Sequence, residues 1–345
     1  MNFERTWVRA ALVCGAALAA SHQAASAQGQ VTVYCSILEE QCREGAAIFE
    51  RKTGIKVSMI RKSTGEVYAQ VKAEASNPKG DVWWGGPGES HLQAGGESLL
   101  EEYRSPVAGQ LRDWAKAFTE KTGYRTSAIY LGALGVAYNT DVLKKRGIPE
   151  PKCWADLLDA RLKDEVQVAD PASSGTAYVF LATTIQRLGE EKGFEFLKAL
   201  HRNVNQYTKS GIAPLKAVTT GETAVSIGFI HDMYTQMLQG APIKAVAPCE
   251  GTGYETGAVS MIKGAKNPDA AKKFIDFALS PDAQEINTKL RIFSIPSNTT
   301  TTVSAEGPDF AQFKLIDYDT ARWGTPVERS RLLKRFESGV KSLPK

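Results

Sequence analysis

What most constrains this chain is an alternation that begins at Gln30. The stretch "QVTVYCS" alternates apolar and polar residues, is rich in β-formers, and reads as a strand. "EEQCREGAAIFERKTG" follows with helical spacing and stops at Gly54. "IKVSMIR" is a second strand, "STGEVYAQVKAEASNP" a helix closed by Asn77-Pro78, and "DVWWGG" a third short strand. Strand–helix–strand–helix–strand is the pattern of an open, largely parallel α/β sheet. Ligands of such sheets sit beyond the carboxyl ends of the strands. Ser36, Ser63 and Gly85-Gly86 all lie at such ends, so one cleft is expected to gather them.

"SAIYLGALGVAYNTDVL" (127–143) is an extended segment followed by a turn, and a second α/β series comes after it. That series includes "EVQVADP", the helices "TAYVFLATTIQRLG" and "EKGFEFLKALHRN", and the apolar strand "TAVSIGFI". "KAVAPCEGTGYETGAVSMIKGAKN" returns as extended chain, "PDAAKKFIDFALSPDAQEINTKL" is helical, and helices are expected from about Asp309 onward. The fold class expected is α/β with two lobes, two extended crossings between them and a hinged cleft. Residues 28–127 with 256–300 make the first lobe, 128–255 the second, and 301–345 are C-terminal helices packed on both.

Residues 1–27 are set aside as a cleaved secretory signal. Arg5 and Arg9 make a basic start, "AALVCGAALAA" a short apolar run, and Ala25-Ser26-Ala27 an A-x-A cleavage site. The run is too short to span a bilayer as a stable helix. The residues before Cys14 lack the small side chain expected ahead of a lipidated cysteine. Export to the periplasm is therefore the expectation. Losing this segment takes the formal charge from +4 to +3, too mild to argue for nucleic acid. Four cysteines remain, and an even count in an exported chain suggests disulfides, with three pairings possible. Cys35–Cys42 with Cys153–Cys249 is the expected pairing, and buried free thiols are the alternative.

A set of segments carries a family resemblance: "VTVYCS", "FERKTGIKV", "STGE", "AEASNPKGDVWWGG", "GVAYNTDVL", "DPASSGTAY", "GETAVSIGF" and "GAVSMIKGAKNPDAAKKFIDFALSPDAQ". The chain resembles periplasmic substrate-binding proteins of ABC importers, in the branch related to ferric-ion-binding proteins. The resemblance implies a two-lobed, cluster-type binding protein that closes on its ligand and delivers it to a membrane permease. Ferric-binding members carry two adjacent tyrosines just after the segment matching "GETAVSIGF". This chain reads His231-Asp232-Met233-Tyr234 there, so the tyrosine pair is broken. Iron held by His231, Asp232 and Tyr234 stays as an alternative.

Three Ser/Thr–Gly stretches precede helical patterns: Ser63-Thr64-Gly65, Ser173-Ser174-Gly175-Thr176 and Thr208-Lys209-Ser210-Gly211. Helix N-termini with hydroxyls are anion sites. Capping alone explains any one of them, and Ser63 with Glu66 fits a capping box. Three in one cleft favour an oxyanion ligand, held by Ser63, Thr64, Ser174, Gly175, Thr176, Thr208, Ser210 and a hydroxyl from Ser36. At the other end stand His231, Asp232 and Glu255. The spacing from Asp232 to Glu255 resembles the sugar-phosphate-binding branch, where a His-Asp pair and a later glutamate hold sugar hydroxyls. Taken singly, Asp232 is an N-cap, His231 a structural histidine and Glu255 a surface or hinge residue. Together they answer the question of what a polar pair does after an apolar strand: it faces a hydroxylated ligand. Trp83-Trp84 divides between core and cleft rim, since neighbouring strand side chains point oppositely. His91 and His201 are read as structural.

No G-x-S-x-G, H-E-x-x-H, G-x-x-x-x-G-K-[ST] or G-x-G-x-x-G occurs, and four histidines give little material for a metal hydrolase. Asp232 and Glu255 as a glycosidase pair is the enzyme alternative. The expectation is a non-enzymatic, monomeric binding protein with no cofactor and no nucleic-acid partner. Its partners are a phosphorylated small molecule and an ABC permease, with an aminoalkylphosphonate as a further ligand alternative.

Overall fold

The computed structural model describes residues 29–345; the expected signal, residues 1–27, lies outside them. In chain order the elements are β1 (Gln30–Cys35), α1 (Glu39–Thr53), β2 (Lys56–Arg61), α2 (Thr64–Ala73), β3 (Val82–Pro87), α3 (Gly88–Gly96), β4 (Leu100–Glu101) and α4 (Asp113–Lys121). Then come β5 (Ser127–Asn139), α5 (Thr140–Arg146), β6 (Val166–Ala169), α6 (Gly175–Leu188), α7 (Glu190–His201), β7 (Val204–Thr208), α8 (Ala213–Thr220) and β8 (Val225–Phe229). The last are α9 (Ile230–Leu238), β9 (Ile243–Val246), β10 (Tyr254–Ile262), α10 (Pro268–Leu279), α11 (Pro281–Lys289), β11 (Ile295–Pro296), α12 (Thr320–Trp323) and α13 (Pro326–Phe336). No helix among the described residues is long and apolar enough to cross a membrane.

The strands run in the order β2-β1-β3-β10-β5-β8-β6-β7. β1 pairs with β2 and β3 in parallel, and β6 pairs with β7 and β8 in parallel. These are the two α/β series; β3, β6 and β8 are buried along their whole length, while β2 at the sheet edge is not. Between them lies β5, 13 residues long. Its first half pairs with β10 and β11, and its second half with β8 and β9. One strand thus belongs to both halves of the sheet. One core gathers Val33, Phe49, Trp84 and Phe274 around the first series. Another gathers Tyr178, Phe194, Val225 and, from the C-terminal segment, Trp323, Leu332 and Phe336.

Local chemistry sets the ends. α1 stops where Gly54 adopts φ 70°, a left-handed conformation that glycine accepts freely. Asn139 caps α5 by accepting from the amides of Asp141 at 3.1 Å and Val142 at 3.0 Å. The disulfides are Cys35–Cys42, joining the end of β1 to α1, and Cys153–Cys249, joining the two loops that flank the second series. Both match the expected pairing.

Two expectations need correction. α2 ends at Ala73, before Asn77-Pro78. The C-terminal part is not helical from Asp309: a single turn spans Phe310–Gln312, and helix resumes only at Thr320. The reason is backbone pairing. Thr252 N donates to Lys314 O and Ile316 N donates to Thr252 O, each at 2.9 Å, so an isolated bridge at Leu315 holds this stretch extended instead of coiled.

Candidate functional site

α2 of the first lobe and α6 of the second bring their N-termini together. The amide of Gly65, in the first turn of α2, donates to Ser173 O at 2.9 Å across the seam. A Cβ at Gly65 would lie 2.2 Å from Ala172 O, and one at Gly175 would lie 2.8 Å from Pro87. The lobes are therefore in contact, and these glycines permit it. The cleft left between them encloses about 570 Å³ of atom-free space, including its open mouth.

Ser36, Ser63, Thr64, Ser174, Gly175 and Thr176 all line this cleft. Capping and cleft duty coincide here. Glu66 returns its carboxylate to the Ser63 amide at 3.1 Å, and Ser174 Oγ accepts from Ala177 N at 3.4 Å. The first amides of a helix lack intrahelical acceptors and favour an anion. Ser36 is fixed by Trp83, whose Nε1 donates to its Oγ at 3.0 Å. Trp83 and Trp84 are both buried, and neither lines the cleft, so neither is a rim or stacking residue.

Thr208 and Ser210 do not line the cleft. Thr208 Oγ1 donates to Ser210 O at 2.9 Å, closing a turn, and Ser210 Oγ is buried without a hydrogen-bond partner. α8 starts only at Ala213, and Gly211 and Ile212 reach the cleft in their place. A Cβ at Gly211 would sit 2.4 Å from Thr176 Oγ1 and 2.9 Å from Ser174 Oγ, so the glycine leaves those hydroxyls room.

The other end of the cleft is built where the sheet changes halves. Glu255 on β10 lies opposite Gly132 on β5. A Cβ at Gly132 would come within 2.4 Å of the His231 ring. His231, in the first turn of α9, packs parallel to the Phe229 ring at 5.6 Å, and its Nε2 is 3.7 Å from both Asp232 Oδ1 and Glu255 Oε1. Tyr130 donates its hydroxyl to Glu255 Oε2 at 3.4 Å. The Glu255 side chain is 2% exposed and that of Asp232 17%. Burial lowers the His231 pKa, opposed by Asp232, so the ring is neutral near pH 7. Burial also raises Asp232, opposed by His231. Glu255 is pushed well above the usual carboxylate range, by burial first and then by Asp232 and Glu89. One neutral histidine cannot compensate two carboxylates, which favours the protonated form of Glu255. A protonated carboxyl both donates and accepts, as sugar hydroxyls do.

Sequence reasoning missed Arg61, Gln41, Tyr130 and Ser294, which also line the cleft. Arg61 closes β2 just ahead of Ser63, a position that could have suggested it; its Nε donates to Ile37 O at 3.1 Å. Tyr130 carried no local signal, since only the β5–β10 register brings it to Glu255. Tyr234 does not line the cleft; it packs, half-buried, beside Ile230 and Met233. His91 and His201 are structural as expected. His91 Nδ1 is 2.8 Å from Ser260 Oγ, and His201 Nε2 is 2.9 Å from Leu343 O.

Residues 90–322 match the family described as bacterial extracellular solute-binding protein. The fold is similar to that of the periplasmic binding protein AfuA from Actinobacillus pleuropneumoniae, solved with exogenous fructose-6-phosphate bound. The two are 46% identical with a TM-score of 0.89, over 92% of this chain and 100% of that one. The periplasmic binding protein P5PA is 39% identical with a TM-score of 0.88, over 90% and 99% of the two chains. An uncharacterized protein of Haemophilus influenzae is 44% identical over 96% of each chain.

Proposed function

The chain belongs to the bacterial extracellular solute-binding protein family, and from that premise we propose that it captures a phosphorylated sugar by hinge closure and delivers it to an ABC permease. One observation carries this reading: the cleft has two chemically opposite ends. Two helix N-termini, one per lobe, and the hydroxyls of Ser36, Ser63, Thr64, Ser174 and Thr176 form an end for a phosphate, with Arg61 beside it. His231, Asp232, Glu255 and Tyr130 form an end for hydroxyls. Carboxylates would repel a phosphate placed beside them, so inorganic phosphate fits this cleft less well than a ligand with a separate hydroxylated end. AfuA, with fructose-6-phosphate bound in its solved structure, supports the same class of ligand.

The ligand touches both lobes and so stabilises the closed form by its differential affinity. The hinge lies in β5, which exchanges β10 for β8 between Ala133 and Leu134. The protein acts as a monomer in the periplasm, without catalysis and without nucleic acid. An aminoalkylphosphonate is the second reading, because an ammonium group would pair with Asp232. Iron is disfavoured: Tyr234 is outside the cleft, and burial with nearby carboxylates holds the Tyr130 phenol well above its ordinary pKa.

A thermal-shift screen of the mature protein tests this, with fructose 6-phosphate, glycerol phosphate, aminoethylphosphonate, inorganic phosphate and ferric citrate. A ligand that binds only the folded form raises Tm. The expected result is a rise with the hexose phosphate and little with inorganic phosphate. A rise with ferric citrate alone, with a coloured tyrosinate complex, overturns the reading.

A further inference from the structure

A second polar cluster lies behind the anion end of the cleft. Pro87 lines the cleft and leads directly into α3. Glu89 and Gln93 stand four residues apart on one face of that helix, and both are buried. Against them come groups from the second lobe's core: Tyr318 from the segment before α12, Tyr178 from α6 and Arg329 from α13. The Arg329 guanidinium is fully buried, stacks over the Tyr178 ring at 4.2 Å and donates Nη2 to Ser90 Oγ on α3 at 3.0 Å. Six buried atoms here have no protein hydrogen-bond partner: both Glu89 oxygens, Gln93 Oε1, the Tyr318 hydroxyl, and Arg329 Nε and Nη1. Buried polar atoms are nearly always satisfied, and internal water is the usual partner where protein offers none.

We propose that Glu89, Gln93, Tyr318 and Arg329 enclose a buried water site on the interlobe seam, and that this site is a proton-linked latch: closing the lobes takes up a proton there. The charged and titratable groups facing Glu89 are Arg329, Tyr318 and Tyr178 from the second lobe and Tyr254 and Glu255 on β10, while Tyr68 on α2 faces Arg329. Burial pushes the Glu89 carboxyl up to about 7, against the pull of its own backbone amide first and then of Tyr318 and Arg329. Opened to water, it returns toward the ordinary value of about 4.3. Between those values the closed form binds more protons than the open form. Closure is therefore favoured at low pH and loses that support as pH rises through the closed-form value. Glu255, which Glu89 helps to raise, links the latch to the ligand cleft.

The test needs no ligand, so its failure is separate from failure of the sugar-phosphate reading. The radius of gyration of the ligand-free protein is measured by small-angle X-ray scattering at about pH 5.5 and about pH 8.5, on either side of the expected titration. The wild type should be more compact at the lower pH, and Glu89→Gln should stay compact at both. Tyr318→Phe removes a group that lowers the Glu89 pKa, so the midpoint of compaction should move to higher pH. A wild type with one radius at both pH values overturns the proposal. So does a Glu89→Gln protein that keeps the wild-type change, because the cleft acids would then carry it, or a Tyr318→Phe midpoint that does not move.

Discussion

The two ends of the cleft solve the problem of holding a polar ligand in different ways. The anion end spreads its donors over two helix starts and five hydroxyls, two of them on the N-cap residues Ser63 and Ser174 that the fold needs anyway. The hydroxyl end concentrates its chemistry in His231, Asp232 and Glu255, with His231 Nε2 3.7 Å from an oxygen of each acid, at a β-crossing. Many weak, backbone-anchored donors tolerate the loss of one. A few buried, mutually perturbing acids do not. The difference teaches where this protein is fragile: not where the ligand's charge is held, but where its hydroxyls are.

That contrast can be broken first at the seam both ends depend on. Gly65→Ala suits a helix, so the ligand-free fold should keep its Tm. Its new Cβ would meet Ala172 O only when the lobes close. An overlap of about 3 kcal/mol, the upper end of over-packing costs, weakens fructose 6-phosphate binding about 100-fold. Calorimetric titration checks this, and unchanged affinity would mean that the ligand binds without this closure. Next comes Asp232→Ala. Losing a hydrogen bond to a charged group, about 2 kcal/mol, should reduce affinity about 30-fold without unfolding the protein. Should the affinity hold, Asp232 is not in the site.

Different in kind is the effect of Glu255→Gln, which is read on stability. The folded-state pKa of Glu255 is raised, so its contribution is fully present below the unfolded pKa and lost as pH rises toward the folded value. The variant should match the wild-type Tm near pH 4 and exceed it near pH 8, by at most about 1.4 kcal/mol per pH unit in between. A Tm difference that does not depend on pH would refute the protonated Glu255. Smallest is Ser174→Ala at the distributed end, about 1 kcal/mol or fivefold in affinity. A loss there as large as that of Asp232→Ala would erase the distinction between the ends.

The anion end was legible in the sequence because its signals are local. A Ser-Thr-Gly-Glu run caps a helix whatever surrounds it, and Ser63 and Ser174 sit where such runs put them. Thr208-Lys209-Ser210-Gly211 carried the same signal and misled, because Thr208 closes a turn on Ser210 O and delays the helix to Ala213. The hydroxyl end was legible only in part. His231, Asp232 and Glu255 were found through spacing and resemblance, whereas Tyr130 and the space left by Gly132 follow from strand register, which no short window contains. The buried Arg329 escaped for the same reason, since its partners on α3 are more than two hundred residues away.

The sheet order carries a consequence for how the molecule comes into being. β10 sits between β3 and β5, pairing with both, yet it is made after them and after the whole second series. The first half of the sheet has its middle strand supplied late. Until residues 254–262 leave the ribosome, β1, β2 and β3 have no inner neighbour, and Phe274, to which their helix presents Phe49, does not yet exist. Neither half can complete its core early: the first waits for β10 and Phe274, and the second waits longer still, for Trp323, Leu332 and Phe336 near the end of the chain.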